Sequence, residues 1–275
     1  MRNEERILML GTGHATVTRC YNACFLLSMP GFNLLVDAGG GNGILRQLEK
    51  SGTPISDINA IFVTHVHTDH VLGVVWVLRM IGEHIESGTY NRHCTVYGNI
   101  NVIDLLYSII TKSFSPKFNR QLFDYVDLKV IEDGDTIEHN EELTLSVFDV
   151  HTNTPQLGFK ATLPSGTCVA CCGDAPLSRV APSSVEGSDW LIAEAFCLES
   201  DRNKFHPERI CHGTVKDTAS MAQELGVENL VIYHTEDSEV ANRKKRYGAE
   251  ATLYFKGTVY VPDDLEIIHI GLEGV

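Results

Sequence analysis

The sequence predicts an α/β fold of four layers, helices outside two packed β-sheets, built as a single domain over residues 1–275. Three observations carry this expectation. Short β-rich runs occur in both halves, helical patterns are interleaved with them, and no stretch rich in Pro, Gly or Ser separates the halves. The chain is 43% hydrophobic and 21% charged, ordinary globular usage that excludes a disordered polymer or a small disulfide-stapled scaffold.

The first runs, Ile7 to Leu10, Ala23 to Met29 and Asn33 to Val36, read as strands punctuated by Gly11, Gly13, Pro30 and Gly31. Asp37 ends the third, and Gly39, Gly40, Gly41 and Gly43 lead into a helix through Leu45, Leu48 and Glu49 that stops at Gly52. This turn lacks the spacing of a dinucleotide fingerprint and is read as a tight turn. Ala60 to Thr64 is a short strand, Val74 to Gly82 a helix, and a further helical pattern surrounds Val102 to Ile110. The texture then returns to strands at Leu128 to Ile131, Asp135 to Ile137, Leu143 to Val150, Gly158 to Leu163 and Cys168 to Cys172, with Leu191 and Ile192 ending another. Thr214 to Leu225 is a helix with a Thr cap and a closing Gly226. Leu230 to Tyr233 is a strand and Val240 to Tyr247 a basic helix.

Lys plus Arg number 22 against 36 for Asp plus Glu, a formal charge of −14. Such a chain repels phosphate backbones on average, which disfavours nucleic acid as its main partner. The opening MRNEERILML is too acidic and its apolar run too short for a signal peptide, and runs such as Val71 to Leu78 are far below membrane-spanning length. The expectation is a cytoplasmic protein without a membrane partner. Its eight cysteines are then reduced, with Cys168 and Cys171, a lone CxxC, read as buried thiols.

The chemistry concentrates in His65-Val66-His67-Thr68-Asp69-His70, which follows a strand. In extended backbone His65 and His67 face one side and can share a cation; a turn at Thr68 presents Asp69 and His70 to a second. Imidazole nitrogen and carboxylate oxygen suit zinc, and also iron or manganese.

The run Thr64-His65-Val66-His67-Thr68-Asp69-His70 followed by Gly73 resembles the signature of the metallo-β-lactamase superfamily, whose remaining ligands come in the order His, Asp, His. His151, Asp174 and His234 stand in that order, each at the end of a strand. The resemblance implies that His65, His67 and His151 bind one metal, that Asp69, His70 and His234 bind the other, and that Asp174 bridges them. Asp37 matches the family's early aspartate, an anchor for the histidine loop. Two cations roughly 3.5 to 4 Å apart can hold a bridging hydroxide and stabilise charge on the attacked group.

Trp190 to Phe196 and Cys211-His212-Gly213-Thr214 resemble paired elements of the ribonuclease Z branch. There Glu194 would orient His212 and raise its pKa, suiting it to protonate a departing alkoxide, so the catalytic set implied is Asp69, His212 and Glu194. The start, Met9 to Gly13 and Arg19 to Asn22, is also similar to that branch, and Arg19 and Asn22, with His14 in the first loop, are candidate substrate contacts. Two positions depart from the branch: Ala193 stands where it has a histidine, and Gly213 where it has a serine. Only 22 residues separate His151 from Asp174, leaving no room for a long tRNA-gripping arm. Leu177 replaces the tyrosine expected of a lactonase. The expected function is therefore a two-metal hydrolase, most simply loaded with zinc, acting on a small phosphodiester or cyclic nucleotide, with a homodimer implied by the branch. The alternatives are tRNA 3′-processing and a non-catalytic metal-binding or regulatory protein of the same fold.

Overall fold

Two seven-stranded sheets face one another in the computed structural model, which describes residues 4–139 and 143–270. The first sheet is assembled from β1 (Arg6–Gly11), β2 (Cys24–Met29), β3 (Phe32–Val36), β4 (Ala60–Phe62), β5 (Cys94–Gly98) and β6 (Val126–Val130). Its helices are α1 (Gly43–Ser51), α2 (Thr68–Glu86), α3 (Ile100–Ser113) and α4 (Pro116–Phe123). The second contains β7 (Thr136–His139), β8 (Leu143–Asp149), β9 (Leu157–Thr162), β10 (Cys168–Cys171), β11 (Trp190–Glu194) and β12 (Asn229–Tyr233). With it run the short α5 (Pro182–Val185) and α6 (Arg202–Phe205), then α7 (Val215–Leu225), α8 (Val240–Tyr254) and β13 (Thr258–Tyr260). The last strand, β14 (Ile267–His269), crosses back to flank β1. Spatial orders are β14-β1-β2-β3-β4-β5-β6 and β13-β12-β11-β10-β9-β8-β7.

Strand alternation explains the layers. Ile7 and Met9 of β1, with Phe25 and Leu27 of β2, face the inter-sheet core and meet Leu145, Phe159, Ile192 and Val231 from the other sheet. Phe62 and Phe159 touch edge-to-face across it, with ring centroids 4.9 Å apart. Intervening residues Leu8, Leu26, Leu35 and Ile61 turn outward to pack on Ile44, Leu48, Val74 and Leu78 of the helices. On the second sheet Ala170, Leu191 and Ile232 do the same against Val215, Ala219 and Tyr247. The expected four layers are therefore present.

Several elements differ from the sequence expectation. The second helix starts at Thr68, ahead of Val74, so Asp69 and His70 lie in its first turn. The last helix continues to Tyr254. β5, α4, β13 and β14 were not expected; β5 is a five-residue buried run whose strand character comes from parallel pairing with β4 and β6. All eight cysteines are free, and Cys171 and Cys172 are buried, but Cys168 is only partly so. Among the described residues no helix is long and apolar enough to cross a membrane.

β3 and β4 run parallel, as do β10, β11 and β12. β8 is antiparallel to β9, which is antiparallel to β10, so β8 shares their direction. Residues just past these strands therefore collect at one edge of the sandwich, where open α/β sheets place their ligands.

Candidate metal centre

The centre is braced from β3. Asp37, 1% exposed and with φ +54°, follows Val36 and uses both carboxylate oxygens. Oδ1 accepts from the Thr64 amide at 2.9 Å, while Oδ2 accepts from the Thr64 hydroxyl at 2.8 Å and faces His70 Nδ1 at 2.7 Å. Because the Thr64 proton is committed to Asp37, its oxygen accepts from His65 Nδ1 at 2.9 Å. Both imidazoles are thereby held with hydrogen on Nδ1 and a lone pair on Nε2. The helix carrying His70 approaches closely: a Cβ at Gly73 would lie 1.8 Å from the Ala38 carbonyl oxygen, so only glycine fits there.

Those lone pairs converge on two carboxylates. His65 Nε2 lies 3.6 Å from Asp174 Oδ1, and His70 Nε2 lies 3.5 Å from Asp174 Oδ2 and 3.3 Å from Asp69 Oδ2. His234 Nε2 reaches Asp174 Oδ2 at 3.4 Å and Asp69 Oδ2 at 3.5 Å. His65, His67 and Asp174 form one set able to hold a cation, and Asp69, His70 and His234 form another, ligand atoms within 4.8 Å in each. His212 joins Asp174 and His234 in a third, overlapping set. The Nε2 atoms of His65, His70 and His234 are buried with no hydrogen-bond partner among the described residues. Unpaired buried nitrogens are costly in a protein alone, and this donor chemistry fits divalent cations.

Electrostatics agree with a charged cluster. Burial opposes ionisation of Asp174, yet His65, His70 and His234 hold its carboxyl well below the usual range; Asp69 is likewise depressed, against burial, by His234 and His70. Burial lowers His65 to about 4, whereas in His70 the carboxylates of Asp37, Asp174 and Asp69 overcome burial and raise the pKa, a demand for positive charge at Nε2 that a bound cation would meet with the ring neutral.

Three expectations need correction. His151 is not brought to the cluster: its side chain is 60% exposed, and Asp149 engages both its amide, at 2.8 Å, and its Nδ1, at 3.1 Å. This local chelate, on a backbone with φ +53°, turns the ring outward. His212 does reach the centre, but Glu194 neither fixes its tautomer nor raises its pKa. His212 Nδ1 donates to the Asp174 carbonyl oxygen at 2.9 Å, and Glu194 Oε2 stands 3.7 Å away. Burial, then His234, lowers His212 to about 4, and burial pushes Glu194 well above the carboxylate range. Glu194 Oε1 instead accepts from the Gly213 amide at 2.6 Å, positioning the backbone that carries His212.

Arg19 and Asn22 are consumed in loop structure. The Arg19 guanidinium donates to the carbonyls of Asp237 and Ser238, and Asn22 donates to the His14 and Ala15 carbonyls while accepting from Gly40. His14 does border the centre, its ring centroid 6.3 Å from that of His234 and 4.8 Å from that of Phe196. Phe196 also stacks on His212 at 5.4 Å with a 12° interplanar angle. Neither Phe196 nor Thr64 was singled out as functional from sequence. Thr64 stood beside the histidines, yet its bridge to Asp37 needs the β3–β4 pairing to be visible.

Comparison with known proteins places this geometry. A family model described as "Anti-Pycsar protein Apyc1" matches residues 5–251. Ribonuclease Z of Thermobifida fusca is 23% identical over an alignment 313 positions long, gaps included, covering 94% of this chain and 92% of that one. Anti-Pycsar protein Apyc1 of Paenibacillus xerothermodurans is 42% identical over 69 residues, 25% of this chain and 27% of that one. The metallo-β-lactamase fold protein YhfI of Bacillus subtilis superposes with a TM-score of 0.78 at 16% identity, covering 96% of this chain and 99% of that one. The fold is thus that of the metallo-β-lactamases.

Proposed function

Because the chain belongs to the family described as Anti-Pycsar protein Apyc1, among the ribonuclease Z-like metallo-β-lactamase proteins, we propose that it is a metal-dependent hydrolase of small phosphodiesters, cyclic nucleotides included. The observation that carries this reading is the pair of ligand sets meeting at Asp174, with His212 beside them. We assign His65, His67 and Asp174 to one divalent ion and Asp69, His70, His234 and Asp174 to the other, zinc suiting the donors best. His151 belongs to the first set only if its ring leaves Asp149. Such a pair of ions supplies an activated water and neutralises charge on a phosphoryl group.

The chain's own groups handle the proton. With Nδ1–H committed to the Asp174 carbonyl, His212 presents Nε2 as an acceptor that can take a proton from water and return it to the leaving oxygen. Phe196 fixes the plane of that ring, and Glu194 fixes the backbone next to it.

A small substrate is favoured over tRNA by the segment between His151 and Asp174. It holds β9 and β10, both paired within the second sheet, so no arm projects there. The net charge of −14 points the same way. The branch resemblance adds a cytoplasmic homodimer to the reading, which light scattering on purified protein tests.

Purified protein is expected to carry about two transition-metal ions per chain and to hydrolyse bis(p-nitrophenyl) phosphate. Elemental analysis giving one ion or none in active protein would end the two-metal reading, and cleavage of precursor tRNA at its 3′ end would restore the ribonuclease alternative. His212→Ala should slow esters with poor leaving groups far more than nitrophenyl esters, since only the former need a proton delivered. Equal losses on both would remove His212 from proton transfer.

A further inference from the structure

Beside the metal centre lies a cavity of about 210 Å³ whose lining includes His67, Asp174 and His212 together with Thr152, Asn153 and Gln156. Pockets for drug-sized ligands span roughly 300–1,000 Å³, so this one has the size of a single ring or sugar. Its wall contains an unexplained group. Gln156 is 3% exposed, and its Nε2 has no hydrogen-bond partner among the described residues.

The amide is held in place by backbone, not by partners of its own. The Gln156 carbonyl accepts from Val150 N at 3.1 Å, Leu157 N donates to the Thr64 carbonyl at 2.9 Å, and Asn99 Nδ2 donates to the Pro155 carbonyl at 2.8 Å. These bonds tie the segment to the histidine strand and to the start of α3. Gly173, immediately before Asp174 and with φ +65°, leaves room for the amide: a Cβ there would meet Gln156 Nε2 at 2.0 Å. An amide nitrogen buried without a partner next to Asp174 is a costly arrangement for a group with only a packing role.

We propose that Gln156 is a specificity-determining residue whose carboxamide pairs with hydrogen-bonding atoms on the organic substituent of the phosphodiester, the base or sugar of a nucleotide, seated in this cavity. Asn153, exposed at the cavity's edge, offers a second amide to the same substituent. This inference rests on the phosphodiesterase reading. Loss of an unfilled amide pairing discriminates substrates more sharply than loss of apolar contact, because the buried group is left without a partner.

The test compares wild type, Gln156→Leu and Gln156→Glu, all metal-loaded, on 3′,5′-cyclic nucleotides of the four bases and on bis(p-nitrophenyl) phosphate, which has neither sugar nor base. Metal content and melting temperature report folding. The expected result is that the ratio of kcat/KM for the best cyclic nucleotide to that for bis(p-nitrophenyl) phosphate falls about fivefold or more in both variants, mainly through KM. An unchanged ratio overturns the proposal. So does a parallel loss on both substrates accompanied by loss of metal, which would make Gln156 structural. Wild type that cleaves bis(p-nitrophenyl) phosphate but no cyclic nucleotide overturns this inference and leaves the hydrolase standing; wild type that cleaves no phosphodiester removes both.

Discussion

The segment Thr64 to His70 and the segment from His151 to Gln156 face the same centre but are built in opposite ways. In the first, Thr64, His65 and then His70 in the first turn of α2 are tied through Asp37 into a buried network. In the second, His151 is exposed and paired with its neighbour Asp149, and the loop is anchored through backbone at Pro155, Gln156 and Leu157 and through the Thr154 hydroxyl, 3.2 Å from His67 Nε2. A ring whose second nitrogen is already bonded is oriented before any ligand arrives, while a ring on an exposed loop takes the nearest charge. Preorganisation therefore resides in the histidine strand and helix, while the loop that lines the cavity leaves its own histidine turned to Asp149.

Three changes sharpen or break this contrast. The largest effect is expected from Asp37→Asn, which disturbs the bonds to Thr64 and His70 together and should weaken metal binding by about 10–100-fold, measured by competition with a chromogenic chelator. Affinity within about twofold of wild type would show that Asp37 is not the anchor. His151→Ala should weaken the first ion less than His65→Ala does, because the His151 ring must first leave Asp149. Equal losses would show that it makes that move in the loaded protein. The smallest effect concerns α7, which follows His212. Thr214 accepts from the Asp217 amide at 3.2 Å and Asp217 from the Thr214 amide at 3.0 Å, a capping box, so Thr214→Ala should cost about 1 kcal/mol in chemical denaturation.

Asp217 also links this cap to pH. Burial works against its charge, but Thr214 and Arg202 hold its carboxyl below the usual value. A depressed carboxyl contributes stability that is present above its unfolded pKa and lost as pH falls through the folded value, so the contribution should fade from about pH 4 downward. Asp217→Asn should flatten that part of the stability profile; an identical acid limb in the variant would assign the acid sensitivity to other groups.

Much of the site was legible in the sequence because metal ligation demands particular side chains at particular spacings. His65, His67, Asp69 and His70 are a local pattern, and the turn needed at Thr68 is the start of a helix. Asp174 and His234 were legible only through family resemblance, since their distance along the chain carries no geometric signal. Thr64, Phe196 and Gln156 were not legible as functional: a threonine bridge, a ring stacked on His212 and an unpaired buried amide exist only after strands distant in sequence have paired. The helix called for at Val74 began earlier for a related reason, its first turn being polar and bound to the centre, so hydrophobic periodicity starts late.

By itself the sequence determined the four-layer fold and named the candidate donor side chains, because alternation of apolar residues and the chemistry of imidazole and carboxylate are local properties. Only the tertiary structure decided that Nδ1 of His65 and of His70 is bonded while Nε2 is left free, that His151 turns to Asp149, and that Asp174, not Glu194, fixes the ring of His212. Those outcomes depend on hydrogen bonds between segments far apart in the chain, where several acceptors compete for one donor and packing selects among them.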